Sequence, residues 1–140
     1  MATKTKKRTL TKKQSANSPR NPINWVEVPV TDLERAKSFY GSVFGFKFEL
    51  VVMNDMKMAF FPSKPDGWGC GGSLMQSDMY KPSHEGPMVY FPVADIEQTL
   101  TKIEKAGGKV FQHKKSIGQY GFIGFFEDSE GNRVGLHSMN

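Results

Sequence analysis

Pro29-Val30-Thr31-Asp32-Leu33-Glu34 returns 63 residues later as Pro92-Val93-Ala94-Asp95-Ile96-Glu97, and the same offset carries Gly45 onto Gly108 and Phe48 onto Phe111. A self-match at one fixed offset marks a duplicated structural unit. Two copies are too few for a solenoid, which needs at least three, so the units must fold against each other.

Reading outward from the first copy, Val26, Val28 and Val30 alternate with Trp25, Glu27 and Pro29, which predicts a strand with two unlike faces. Thr31-Asp32 offers an N-cap, and Leu33, Ala36, Phe39, Tyr40, Val43 and Phe44 follow at helical spacing up to Gly45. Residues 46–53 and 56–62 read as strands about a turn at Asn54-Asp55, and residues 71–76 as a third. The second copy gives a strand at 87–94, a helix at 95–107 and strands at 108–112, 120–127 and 132–138. The expected class is α+β: two βαβββ modules, residues 22–78 and 86–138, forming a concave mixed sheet with the helices outside. Each helix covers one sheet face and leaves the other open, so the open faces would make a cleft.

Composition agrees with one folded domain over residues 22–140. The chain has 140 residues, 38% of them hydrophobic, which is enough to bury a core without staples. Its single cysteine, Cys70, excludes an internal disulfide and points to a reducing, cytoplasmic setting. No run approaches the ~20 apolar residues of a membrane span, and no secretory apolar core opens the chain. The net charge of +5 belongs to the start of the chain: residues 1–22 hold seven Lys and Arg and no acid, leaving 12 against 14 acids beyond them. Residues 1–21 therefore read as a disordered basic tail. It lacks the aromatic interleaving of a nucleic-acid binder, so neither a specific nucleic acid nor a membrane is an expected partner.

Val30-x-Asp32-Leu33 and Val93-x-Asp95-Ile96 open the helices, Phe39-Tyr40 and Phe44-Gly45 close the first, and Asp128-Ser129-Glu130-Gly131-Asn132 precedes the last strand. In these motifs, over residues 22 to 138, the chain resembles the vicinal oxygen chelate superfamily of glyoxalase I, bleomycin and fosfomycin resistance proteins and extradiol dioxygenases. It is most similar in texture to small glyoxalase-like proteins of unassigned activity. The resemblance implies the fold, a homodimer, and a place where family enzymes hold a metal ion. Their ligand in each module's first strand falls here on Trp25 and Met88, and their glutamate in the last strand falls on Gly135. Residues 71–76 carry no acid, and Gln76 is the nearest oxygen donor. Indole has no acceptor and thioether is too soft for a hard divalent ion, so no metal and no cofactor are expected.

The two-residue period places Trp25, Glu27 and Pro29 on the cleft side, with Met88, Tyr90 and Pro92, and with Arg133, Gly135 and His137. Trp25, Glu27, Phe60, Trp68, Met88, Tyr90, Phe122 and His137 are the expected ligand-binding set. A carboxylate in an otherwise apolar strand is solvated, paired or functional. Glu27 is accordingly the candidate general base, with His137 or Tyr90 as acid. The structural alternative pairs Glu27 with Arg133, His137 or Tyr90. A relocated metal site would need Glu27 and His137, with His84 or His113 completing it. Cys70 stands in a glycine-rich loop without a nearby His, where a thiol is inert more often than reactive. Gly118 and Gly121 would let a loop move over the cleft.

The expected function is metal-free binding of a small organic molecule. The alternatives are a metal-independent isomerase or lyase working through Glu27, a metalloenzyme with a relocated site, and a structural protein whose cleft is filled by its own side chains.

Overall fold

The computed structural model describes residues 21–140. The basic tail expected at the start therefore lies outside the described residues, apart from its final position.

In chain order the elements are β1 (Trp25–Val30), α1 (Leu33–Phe44), β2 (Glu49–Met53), β3 (Met56–Phe60), β4 (Gly71–Gln76), β5 (Tyr90–Pro92), α2 (Ile96–Lys105), β6 (Lys109–Ser116), β7 (Phe122–Glu127) and β8 (Arg133–Ser138). The strands form two sheets of like topology, β1-β4-β3-β2 and β5-β8-β7-β6, each with one parallel pair, β1 on β4 and β5 on β8. The α+β class and the two βαβββ modules are as expected from the repeat. Among the described residues the eight strands are divided between two sheets, and no strand of one pairs with a strand of the other.

Local chemistry accounts for the element ends. Asp32 and Asp95 each accept the backbone N–H three residues on, at 3.0 Å, capping α1 and α2. Gly45 ends α1 at φ 73°, a left-handed conformation that costs glycine nothing. Asn54, at φ 53°, turns the two-residue β2–β3 hairpin.

Three strands differ from the sequence reading: β2 begins only at Glu49 rather than at residue 46, and β5 and β6 differ more. β5 is three residues long rather than the eight expected, because Pro87 and Pro92 supply no N–H to a ladder. β6 runs on through Gln112-His113-Lys114-Lys115-Ser116, with register shifts near Gln112. It is an edge strand whose polar side chains can face water, so it carries no hydrophobic alternation to reveal it.

Both modules feed one core. Val28, Val30, Ala59 and Leu74 of the first sheet join Phe126, Val134 and Leu136 of the second, with Leu33, Ala36, Phe39, Tyr40, Ile96, Leu100 and Ile103 of the helices among them. Phe91 of β5 lies against Phe44, Tyr40 and Phe61 at centroid distances of 4.9, 5.7 and 5.7 Å, and Phe39 reaches Phe126 at 6.2 Å. Each sheet thus gives one face to the shared core; on the opposite face of the first sheet Ser73, Met58 and Met75 are also buried, while Trp25 and Glu27 are exposed.

Polar contacts clasp the last turn to the first helix. Glu130 accepts the backbone N–H of Thr31 and Asp32 at 2.9 and 2.8 Å and the guanidinium of Arg35 at 2.7 Å. Asn132 donates to the Pro29 carbonyl at 2.8 Å. Gln76 Oε1 accepts the Leu33 N–H at 2.8 Å, so this side chain serves the helix terminus.

Candidate functional site

The faces turned away from the core carry the candidate residues. On the first sheet, register puts Trp25 beside Gly71, and aligns Glu27, Ser73, Phe60 and Glu49 across β1, β4, β3 and β2. The next row is Pro29, Met75, Met58 and Val51. On the second sheet, Tyr90 stands beside Gly135 and Phe125, and Pro92 beside His137 and Ile123.

Each sheet has an aromatic ring lying over a glycine. A Cβ at Gly135 would come within 2.5 Å of Tyr90 Cδ1, and one at Gly71 within 3.2 Å of Trp25 Cζ3. The rings occupy the space a longer side chain would need. Trp25 also meets Phe60 edge-on at 5.0 Å, an arrangement favoured by the quadrupoles of the rings.

The positions at which the resemblance placed metal ligands do not fit a metal ion. Trp25 has only an N–H to offer and Met88 only a thioether, while Gly135 has no side chain and the Tyr90 ring covers it. The relocated set is not assembled either: among the described residues no three His, Cys, Asp or Glu side chains come together as a metal-binding group. His84 is engaged by Glu127 at 2.6 Å and His113 by Glu97 at 2.9 Å.

His137 and Tyr90 share a depression of about 490 Å³ with Pro92, Ile117 and Ile123. Ile117 of this lining immediately precedes the turn bounded by Gly118 and Gly121, whose φ angles are 74° and 99°. His137 Nε2 lies 2.6 Å from the carbonyl oxygen of Tyr120, a contact that requires the proton on Nε2 and leaves Nδ1 as acceptor in the neutral ring.

Glu27 is exposed, and it enters no salt bridge with a described residue. The expected pairing with Arg133, His137 or Tyr90 is not formed within the chain. Of the other candidates, Phe60 joins Trp25 on the first sheet, and Met88 is half-buried just ahead of β5. Trp68 and Cys70 are exposed in the β3–β4 loop. Phe122 packs against the shared core, and Lys114 Nζ sits 4.3 Å from its ring centre. It has the parity of Phe126, so counting by twos from the buried Phe126 would have assigned it to the helix side.

Ser73, Met58, Met75, Ile117 and Ile123 belong to these faces and were not singled out from the sequence. The same period of two applied to residues 71–76 and 122–127 selects Ser73, Met75 and Ile123. The glycines at 71 and 72 mask the alternation in the first of these strands.

Compared with known proteins, residues 22–136 match the family model described as Glyoxalase/Bleomycin resistance protein/Dioxygenase superfamily. A glyoxylase-like domain-containing protein of Didymella fabae is 32% identical over 114 residues, covering 79% of this chain and 88% of that protein. Glyoxalase I from Zea mays superposes with a TM-score of 0.66 at 20% identity, over 84% of this chain and 46% of the maize chain. The chain thus spans about half the length of the maize enzyme. TnmS3, an antibiotic binding protein from Streptomyces sp. CB03234, superposes with a TM-score of 0.63 at 21% identity, over 87% of this chain and 98% of that one. At these identities the two solved structures establish a shared fold.

Proposed function

The chain belongs to the Glyoxalase/Bleomycin resistance protein/Dioxygenase superfamily, and from that membership we propose that it binds a small organic molecule on the open faces of its sheets, without the metal ion of the family's enzymes. The observation that carries this reading is the pair of rings over glycines. Where the resemblance puts metal-binding side chains, Trp25 covers Gly71 and Tyr90 covers Gly135, surfaces suited to a planar apolar ligand. The depression at Tyr90 and His137 gives such a ligand room on the second sheet. A structural neighbour of matching length is an antibiotic binding protein, which supports binding as a use of this scaffold. In this proposal the protein acts in the cytoplasm as a homodimer.

The enzymatic alternative asks Glu27 to act as base with His137 or Tyr90 as acid. General acid–base work needs both groups within hydrogen-bonding reach of one substrate, and the depression lined by Tyr90 and His137 is not lined by Glu27.

Thermal unfolding followed with aromatic compounds and with Ni²⁺, Zn²⁺, Mn²⁺ and Fe²⁺ tests the proposal. A ligand at about 100 times its Kd stabilises the native state by ~2.7 kcal/mol, a rise on the order of 5–10 °C for a domain of this size. The expected result is such a rise with an organic compound, reduced by Trp25→Ala or Tyr90→Ala, and none with the metals. Stoichiometric metal in protein purified without chelator would overturn it.

A further inference from the structure

The depression on the second sheet contains one ring nitrogen that the fold leaves to a ligand. His137 lines it with Tyr90, Pro92, Ile117 and Ile123, so the imidazole is set among aliphatic and aromatic surface, with the Tyr90 hydroxyl as the other polar side-chain group of the lining. His137 is half-buried, and its Nε2 is committed to the Tyr120 carbonyl at 2.6 Å. A carbonyl oxygen only accepts, so Nε2 carries a proton and Nδ1 of the neutral ring presents a lone pair. Nδ1 makes no hydrogen bond with a described residue.

The charges around the depression narrow what meets that lone pair. Cross-strand neighbours share a face, and register sets Pro92, His137, Ile123 and Lys115 in one row, Tyr90, Gly135, Phe125 and Gln112 in the next, and Arg133, Glu127 and Lys109 in a third. Lys115, Arg133 and Lys109 thus stand against a single acid. Glu127 is taken by His84 at 2.6 Å and lies 3.9 Å from Lys109, whereas Lys115 and Arg133 enter no salt bridge with a described residue. These rows offer an anion uncompensated positive charge. The lone pair calls for a proton donor and the charge for an anion. A weak acid supplies both, since its proton can rest on Nδ1 while its oxygens keep the negative charge. Carboxylic acids ionise in this way near neutral pH, where a phenol keeps its proton.

We propose that the depression binds an aromatic carboxylic acid, with its ring against Tyr90, Ile117 and Ile123 and its carboxyl group sharing one proton with His137 Nδ1. The acid brings that proton, or water supplies it when the ligand arrives as the carboxylate. Lys115, in the row of His137, adds attraction at longer range. The volume of about 490 Å³ lies within the range of small-molecule sites. The proposal rests on the reading that the open faces hold small organic molecules, and adds the ligand's acidity and its seat.

The test uses the full chain, isotope-labelled for NMR and titrated with benzoate, benzamide and benzamidinium, which share a ring and differ in charge. Amide shifts locate each probe, and the ring nitrogens of His137 are followed directly. Benzoate is expected to bind about tenfold more tightly than benzamide, with benzamidinium weakest. Its binding should move the Nδ1 resonance toward the protonated range, and benzamide should not. His137→Phe should bring benzoate down to the affinity of benzamide. Lys115→Gln, at an exposed position, should weaken benzoate several-fold and leave benzamide unchanged. Should His137→Phe fail to fold for want of the Tyr120 bond, the Nδ1 resonance of the unsubstituted protein decides. Equal binding of benzoate and benzamide, or a benzoate complex in which Nδ1 stays unprotonated, overturns the acid assignment and leaves the organic-ligand reading standing. Amide shifts at Trp25 and Glu27 with none at Tyr90 and His137 overturn the seat alone. Saturation by none of the three probes on either sheet overturns both readings.

Discussion

The Tyr40 hydroxyl donates to Asp128 Oδ2 at 2.7 Å, joining the first helix to the last turn across 88 positions of sequence. Asp128 also accepts the backbone N–H of Glu130 and Asn132 at 2.8 and 2.9 Å, so it organises the turn while it receives the phenol. Burial, and then the Asp128 charge, push the Tyr40 hydroxyl well above the usual tyrosine range, which keeps it a donor. Tyr40→Phe should cost about 1–2 kcal/mol in urea unfolding, and Asp128→Ala about 3 kcal/mol because several donors lose their acceptor at once. A neutral Tyr40→Phe would mean the bond contributes nothing net.

Glu130 sets an acid limit to stability. Burial alone would raise its carboxyl, but hydrogen bonds from Arg35, the Asp32 and Thr31 backbone and Ser129 outweigh it and hold it at about 2, below its ordinary 4.5. A group depressed in the folded state stabilises the fold above its unfolded pKa and loses that effect as pH falls through the folded value. Stability should therefore decline between pH 4.5 and about 2, by roughly 2–3 kcal/mol from this group. Urea midpoints across that range should show the decline, and Glu130→Gln should flatten most of it. An unchanged slope in the variant would assign the acid limit to other carboxyls.

Gly135 and Tyr90 are coupled by close contact. Adding a methyl in Gly135→Ala drives Cβ to 2.5 Å from the ring, so the ring must swing away, at about 1–3 kcal/mol. In a Tyr90→Ala background the same substitution should cost far less, and a double-mutant cycle measures the difference. Equal costs in both backgrounds would show that the ring is not what Gly135 accommodates.

Phe91 is the hinge of the aromatic cluster, with Phe44, Tyr40, Phe61 and Phe46 at 4.9 to 5.9 Å. Phe91→Ala should destabilise by about 3–5 kcal/mol, as large truncations in packed cores do. Both modules should unfold in one transition, since they share the core. A mild effect, or two separated transitions, would mean each module holds its own core.

The fold was legible wherever local chemistry repeats. Asp32 and Asp95 announced the helices, Asn54 the hairpin, and the 63-residue offset the duplication. β2, β5 and β6 differ in length from the sequence reading; prolines trim the β5 ladder and the polar edge of β6 is free to face water. The site was harder to read. Period two assigns a residue to a face but says nothing of which faces meet, so Glu27 and His137 shared a parity while standing on different sheets. The roles of Glu130, of Gln76 at the helix terminus and of Tyr40 with Asp128 depend on contacts between distant positions. Such contacts leave no local pattern.

Because Glu130 serves the amides of Thr31 and Asp32, nearly one hundred positions earlier, the first helix stays without that support while the chain is being made. On the ribosome, the opening half emerges with its aromatic side chains bare and waits for the closing turn. The nascent chain is most exposed to chaperones and proteases in that interval, and the fold becomes secure only after residue 132 has left the exit tunnel and Asn132 has reached Pro29.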